Sequence, residues 1–92
     1  MTTFTHSSKT GVVGAGLIGR AWAMVFARAG LQVKIFDADA KALSACMGHI
    51  ETLVKDMHAA DLVQESPADI IRRITPVSSL AEVCTDVDLI QE

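Results

Sequence analysis

Several features are scarce or absent in this 92-residue sequence, and some of these absences exclude a class of protein. There is no tyrosine, and there are only two prolines and two cysteines. Cys46 and Cys84 form neither a metal-binding motif nor a disulfide framework, which favours a reduced, cytoplasmic protein. No apolar run approaches the roughly 18 residues of a membrane span, and residues 1–10 lack the apolar stretch of a signal peptide. We therefore expect no membrane partner.

Basic residues are also scarce. Eight lysines and arginines stand against eleven aspartates and glutamates, which gives a formal net charge of −3 and a pI near 5.5. Nucleic acids bind basic surfaces, so we expect no nucleic-acid partner. The three histidines lack the helical spacing of paired metal ligands, so no metal site is predicted. Half of the residues are hydrophobic, which excludes disorder and is typical of one small folded domain.

What the sequence does contain is an alternation of strand and helix patterns. Residues 1–8 form a polar arm that we expect to be flexible, and residues 9–92 form the folded part. Apolar runs bounded by turn residues predict strands over 9–13, 31–36, 74–77 and 87–91. Apolar residues at helical spacing predict helices over 17–29, 39–61, 67–73 and 80–84. Ser66 and Pro67 predict an N-cap followed by proline at the start of the third helix.

This alternation predicts an α/β fold with a parallel sheet. Strands that alternate with helices are joined by right-handed crossovers, which place helices on both faces. We expect the Rossmann-type strand order 3-2-1-4, which puts Pro76 on an edge strand where its missing N–H is tolerated. The chain is then the N-terminal part of a doubly wound domain. On the first helix, which is apolar nearly all round, we expect Trp22 to pack in the core, with a partner-facing position as the alternative.

A glycine-rich motif opens the first predicted helix. Residues 14–19 read GAGLIG, which fits the G-x-G-x-x-G pattern of dinucleotide-binding turns. The motif follows a predicted strand and opens a predicted helix. Asp37 stands at the end of the next predicted strand, close to the expected distance of about 20 residues after the motif. These three features favour a dinucleotide site over the alternative, in which the glycines serve only α/β packing.

Each residue of the motif has a physical task. Gly14 allows the tight strand-to-helix turn, because it has no Cβ. Gly16 lets the backbone approach a pyrophosphate, and Gly19 lets the helix pack closely on the strand. The backbone amides around Leu17 and Ile18 would face the phosphates at the positive end of the helix dipole.

Asp37 is expected to select the cofactor. Its carboxylate would accept hydrogen bonds from the adenosine ribose hydroxyls and would repel the additional 2′-phosphate of NADP. Ala38 and Asp39 follow it, so no neighbouring arginine compensates for that repulsion. The predicted cofactor is therefore NAD. The predicted cofactor-binding residues are Gly14, Gly16, Leu17, Ile18, Gly19 and Asp37.

These motifs resemble a known family. The segment from Gly14 to Asp37 is similar to the N-terminal NAD-binding domain of the 3-hydroxyacyl-CoA dehydrogenase family. Residues 18–23, which read IGRAWA, most resemble its lambda-crystallin branch, also known as L-gulonate 3-dehydrogenase. Residues 88–92 are similar to the family's fourth strand, whereas the likeness is loose from Leu43 to Pro76.

The resemblance implies an oxidoreductase that oxidises a secondary 3-hydroxyl group by hydride transfer to NAD. The implied substrate is a hydroxy acid such as L-gulonate or a 3-hydroxyacyl-CoA of fatty acid metabolism. The implied assembly is a homodimer through regions absent here. The family's catalytic residues follow the fourth strand, so none is predicted within these 92 residues, and we expect a longer enzyme. The alternative is a free-standing dinucleotide-binding module without catalytic activity.

Overall fold

A computed structural model describes residues 8–92, and that range contains four strands and four helices. In chain order the elements are β1 (Lys9–Val13), α1 (Leu17–Arg28), β2 (Gln32–Phe36), α2 (Ala40–Ala59), α3 (Pro67–Arg72), β3 (Ile74–Pro76), α4 (Leu80–Cys84) and β4 (Leu89–Gln91). All three strand pairings are parallel, and the sheet order is β3-β2-β1-β4. The predicted Rossmann-type fold and strand order are therefore confirmed.

The elements begin and end near the predicted positions, and the differences have local causes. The helix α2 begins at Ala40 because Asp39 accepts hydrogen bonds from N–H groups of the first turn and so caps the helix. The strand β4 begins at Leu89, after Asp86 has taken a left-handed φ of 54° that interrupts an extended chain. Ser66 stands at the N-cap of α3, but its side chain makes no cap hydrogen bond, which corrects the expected capping.

The predicted arm, residues 1–8, lies outside the described residues except for Ser8. The Ser8 carbonyl accepts a hydrogen bond from the Gln32 N–H at 3.1 Å, and Ser8 itself is buried. Ser8 therefore takes part in the pairing of the first two strands rather than in a flexible arm.

The core lies between the sheet and the helices α1, α2 and α3. Strand side chains alternate between the two faces, and Val12, Val33 and Ile35 are fully buried on this face. They are covered by helix residues of the same core, namely Ala23, Ala27, Cys46, Ile50, Val54 and Ile70. On the opposite face, α4 packs over β1 and β2 and buries Val83 against Gly11. The described chain therefore has helices on both faces of its sheet, as expected.

The helix α1 contacts the sheet through its small residues. Gly19, Ala23 and Ala27 recur every four positions on one side of the helix, and both alanines are fully buried. Trp22 lies on another side, keeps 37% of its surface exposed, and packs against Phe26 with the ring centroids 5.5 Å apart. The expected core position of Trp22 is therefore wrong. The exposed side of α1 also carries Leu17, Ile18 and Val25.

Gly11 sets the distance between β1 and α4, and this gives a stability prediction. A Cβ at Gly11 would lie 2.5 Å from the backbone oxygen of Val83, so a side chain here would force α4 away from the sheet. We expect Gly11→Ala to lower the free energy of unfolding, measured in urea, by about 1–3 kcal/mol.

The matched control for this change is Gly48→Ala. Gly48 is exposed on α2, and a Cβ there would meet no neighbour within 4 Å among the described residues. Because alanine favours the helix more than glycine does, this variant should be more stable than the parent by about 0.5–1 kcal/mol. Equal stabilities of the two variants would contradict the close packing of α4 on β1.

Candidate functional site

The chain turns from β1 into α1 at Gly14. This residue has a φ of +106°, a conformation that residues with a Cβ rarely adopt. Its N–H donates to the Phe36 carbonyl at 2.7 Å, so the hydrogen bonds between β1 and β2 continue into the loop. The geometry agrees with the turn-forming task predicted for Gly14.

Gly19 brings the first turn of α1 against that loop. A Cβ on Gly19 would lie 1.8 Å from the Gly14 carbonyl oxygen and 3.5 Å from Cγ1 of Val12. Only a residue without a side chain allows this approach. The geometry agrees with the close packing predicted for Gly19, and the contact is chiefly with the backbone of Gly14.

Gly16 differs from these two glycines, because no described neighbour excludes a side chain there. It is the N-cap of α1, with an extended backbone at φ −74°, and a Cβ would meet no described atom within 4 Å beyond the adjoining residues. Its carbonyl accepts the first hydrogen bond of the helix, from the Arg20 N–H at 2.9 Å. Glycine at this position therefore leaves open space at the helix N-terminus, the space into which a bound group would fit.

The N-terminus of α1 is open to an anion. The N–H groups of Leu17 and Ile18 precede the first helical hydrogen bond and have no partner inside the helix. Among the described residues no side chain caps α1, whereas Asp39 caps α2 and Ser79 caps α4. The first turn of α1 also carries no acidic residue. The positive end of the helix dipole is therefore available to a phosphate group.

Asp37 lies directly after β2 and is hydrogen-bonded to the glycine loop. Its Oδ2 accepts from the Ala15 N–H at 2.8 Å, and its Oδ1 accepts from the Asp39 N–H at 2.7 Å. These two hydrogen bonds, the one from Ala15 foremost, hold the pKa of Asp37 below its ordinary value of 3.8. Each carboxylate oxygen keeps a further lone pair, so Asp37 can still accept hydrogen bonds from ribose hydroxyls.

Two grooves flank the end of β1. One, of about 510 Å³, is lined by the loop of residues 13–19 and by Glu92. The other, of about 590 Å³, lies beyond the ends of β2 and β3 and is lined in part by Asp37, residues 76–78 and Glu82. After β3 the chain crosses to the other side of β1, so the first groove lies at the topological switch point between β1 and β4, where open α/β sheets bind ligands. The structure thus brings all six predicted site residues together at the carboxyl ends of β1 and β2.

The outer wall of the second groove is not predicted by the sequence patterns. Val77 and Ser78 come from the loop after β3, and Glu82 comes from α4. The predicted strand order could have indicated the loop after β3, because neighbouring parallel strands end on the same side of a sheet. The Ser78 hydroxyl donates to Glu82 Oε1 at 2.8 Å and lowers the pKa of that carboxyl group, with a smaller contribution from Ser79. Glu82 is therefore a second anionic group on this groove.

Two further features are missing from residues 8–92. None of the helices in this range combines the length with the hydrophobicity of a transmembrane span. The same range contains no group of three or more histidine, cysteine or acidic residues arranged to hold a metal ion. Both cysteines are free thiols, with Cys46 buried in the core and Cys84 exposed.

Comparison with known proteins decides the family. Residues 9–92 match the family described as 3-hydroxyacyl-CoA dehydrogenase, NAD binding domain. The chain belongs to this family. Its cofactor is NAD, which confirms the prediction made from the glycine loop and Asp37. The comparisons lend no support to the alternative of a free-standing module.

Three relatives illustrate the similarity. Lambda-crystallin from Oryctolagus cuniculus is 31% identical over 83 residues, which are 88% of this chain and 26% of that protein. L-carnitine dehydrogenase/betainyl-CoA thioesterase from Rhizobium meliloti is 36% identical over 92 residues, or 17% of that protein. The crystal structure of 3-hydroxybutyryl-CoA dehydrogenase from Escherichia coli superposes with a TM-score of 0.81 at 26% identity, covering 91% of this chain and 18% of that one. The chain therefore spans about a quarter or less of these relatives, and its likeness to lambda-crystallin supports that branch of the family.

Proposed function

We propose that this chain is the NAD-binding part of an enzyme that oxidises a secondary 3-hydroxyl group, with an L-gulonate-like or 3-hydroxyacyl-CoA-like substrate. The observation that carries the proposal is the open space at Gly16, on the uncapped N-terminus of α1 and beside the ionised Asp37. Bound NAD would accept a hydride from the substrate carbon. The names of the relatives support the substrate class, because they include 3-hydroxybutyryl-CoA and L-carnitine dehydrogenases.

The residues of the chain bind and orient the cofactor in this proposal. The backbone N–H groups of Leu17 and Ile18 hold the pyrophosphate, and Gly16 gives it room to approach. Gly14 and Gly19 hold the loop and the helix in the geometry that this contact needs. Asp37 accepts hydrogen bonds from the adenosine ribose. No residue of the chain is assigned a catalytic role.

The test is a comparison of NADH with NADPH on the full chain. Trp22, the single tryptophan, lies roughly 9 Å along α1 from Gly16 and can report bound NADH by energy transfer. We expect NADH to bind about tenfold or more tightly than NADPH, because the extra 2′-phosphate would meet Asp37 and Glu82. Asp37→Ala should weaken NADH binding and narrow this difference. Equal affinities for the two nucleotides in the parent protein would contradict the ribose assignment.

The substrate class is tested on the full-length enzyme with NAD. L-Gulonate, 3-hydroxybutyryl-CoA and L-carnitine share a secondary hydroxyl group at the third carbon and differ in the group that carries it. We expect one of them to reduce NAD, followed by the absorbance of NADH, while the matched 2-hydroxy acids do not. Reduction of NAD with the 2-hydroxy acids alone would contradict the proposed 3-hydroxy specificity.

Two further properties rest on the family resemblance and on composition. The homodimer is proposed from the resemblance. The cytoplasmic location is proposed from the low cysteine content, with which the two free thiols, Cys46 and Cys84, are compatible. Light scattering and cell fractionation test them respectively.

A further inference from the structure

The loop after β1 is joined to the chain after β2 by two hydrogen bonds of different kinds. The first links backbone to backbone, from the Gly14 N–H to the Phe36 carbonyl at 2.7 Å. The second links backbone to side chain, from the Ala15 N–H to Asp37 Oδ2 at 2.8 Å. A substitution at position 37 therefore removes the second and leaves the first in place.

The second hydrogen bond holds the part of the loop that lies next to Gly16. Ala15 is only 6% exposed, so water cannot readily replace the Asp37 carboxylate as the acceptor for its N–H. The carboxylate is itself fixed, because its other oxygen accepts from the Asp39 N–H at 2.7 Å. Asp37 thus connects the start of α2 to the residue that precedes the N-cap of α1.

We propose that Asp37 is a positioning residue for the phosphate-binding loop as well as an acceptor for the ribose. The inference rests on the proposed function, since it concerns the same NAD site. The ribose and pyrophosphate subsites then share one carboxylate, and the loop is already ordered by Asp37 when the cofactor arrives. Loss of the carboxylate weakens the phosphate contacts even for a ligand that offers Asp37 no hydroxyl group.

Charge repulsion alone predicts the opposite change in affinity when the Asp37 carboxylate is removed. Removal of a carboxylate near a pyrophosphate reduces repulsion and should tighten the binding of an anionic ligand. If Asp37 acts only as a ribose acceptor, its loss should leave the affinity for a ligand without ribose hydroxyls unchanged or improved. If Asp37 positions the loop, the same change lowers the affinity for that ligand.

The experiment measures the binding of two ligands to the full chain by calorimetry. The ligands are NAD and an NAD analogue whose adenosine ribose lacks both the 2′- and 3′-hydroxyl groups. Asp37→Ala is compared with Asp39→Ala, a control that removes the same charge two residues away, where the side chain caps α2. Asp37→Asn is a second variant, since its amide oxygen can keep one of the two backbone hydrogen bonds and so favours folding.

We expect Asp37→Ala to lower the affinity for the analogue by about tenfold or more and Asp37→Asn to lower it less. In Asp39→Ala the affinity for the analogue should stay within about twofold of the parent value. Hydrogen exchange at the Ala15 amide should accelerate in Asp37→Ala and not in Asp39→Ala. If both Asp37 variants bind the analogue as tightly as the parent while they lose affinity for NAD, the positioning role is overturned and the ribose role stands. If the parent binds no NAD, the proposed function itself is overturned.

Discussion

The variant Gly16→Val is expected to bind NAD at least about 100-fold more weakly than the parent, a loss of about 2.8 kcal/mol of binding free energy, and to remain folded. The two effects separate because, apart from the adjoining residues, the described protein places no atom within 4 Å of a Cβ at this position. The extended backbone of Gly16 also accepts a β-branched residue without strain. The isopropyl group would instead occupy the space that the pyrophosphate needs above the N–H groups of Leu17 and Ile18.

Two measurements on the same sample check this expectation. Energy transfer from Trp22 to NADH reports binding, and urea denaturation reports the free energy of unfolding, which should fall by about 1 kcal/mol or less through the poorer N-cap. Gly48→Val on the exposed side of α2 is the matched control and should bind NADH normally. Retained affinity in a folded Gly16→Val protein would mean that the phosphates do not contact this loop.

The strand order could be predicted because it depends on patterns that the sequence carries. Alternating strands and helices require right-handed crossovers, and Pro76 is tolerated only at an edge. The Rossmann-type order meets both constraints, and it places β3 outside β2 and β4 beside β1, as observed. The glycine motif and Asp37 could be predicted for a similar reason, since their spacing follows from one strand, one helix and one further strand.

The second role of Asp37 could not be predicted in the same way. Its hydrogen bond from the Ala15 N–H depends on the backbone dihedral angles of two loops that are remote in sequence. The close contact of Gly11 with Val83 likewise depends on how α4 settles on the sheet. A lone glycine in a strand indicates that a neighbour approaches closely, but the pattern does not say which neighbour.

Trp22 lies on the more exposed side of α1 because of its size. The helix α1 is apolar nearly all round, so hydrophobicity alone does not say which side meets the sheet. Residue size indicates which side of α1 meets the sheet, because Gly19, Ala23 and Ala27 form a narrow stripe that lets the helix backbone approach the strands. A bulky indole on that side would hold α1 away from the sheet, so Trp22 lies on the more exposed side.

Gly19→Ala is expected to have the largest effect on stability. The added methyl group would lie 1.8 Å from the carbonyl oxygen and 2.8 Å from the carbonyl carbon of Gly14. Gly14 cannot move aside easily, since its positive φ and its hydrogen bond to Phe36 fix the turn. The first turn of α1 must therefore shift off the loop. We expect the free energy of unfolding to fall by about 3 kcal/mol or more, a large share of the stability of a small domain.

Gly16→Ala is the matched comparison, because it makes the same substitution three positions earlier in the same motif. In urea denaturation Gly16→Ala should remain close to the parent, since its methyl group enters open space, whereas the midpoint for Gly19→Ala should fall markedly. With NADH the two variants should both lose affinity for different reasons, the first through an obstructed phosphate site and the second through a displaced helix. A Gly19→Ala protein as stable as Gly16→Ala would show that α1 and the loop are not in the backbone contact on which the cofactor site depends.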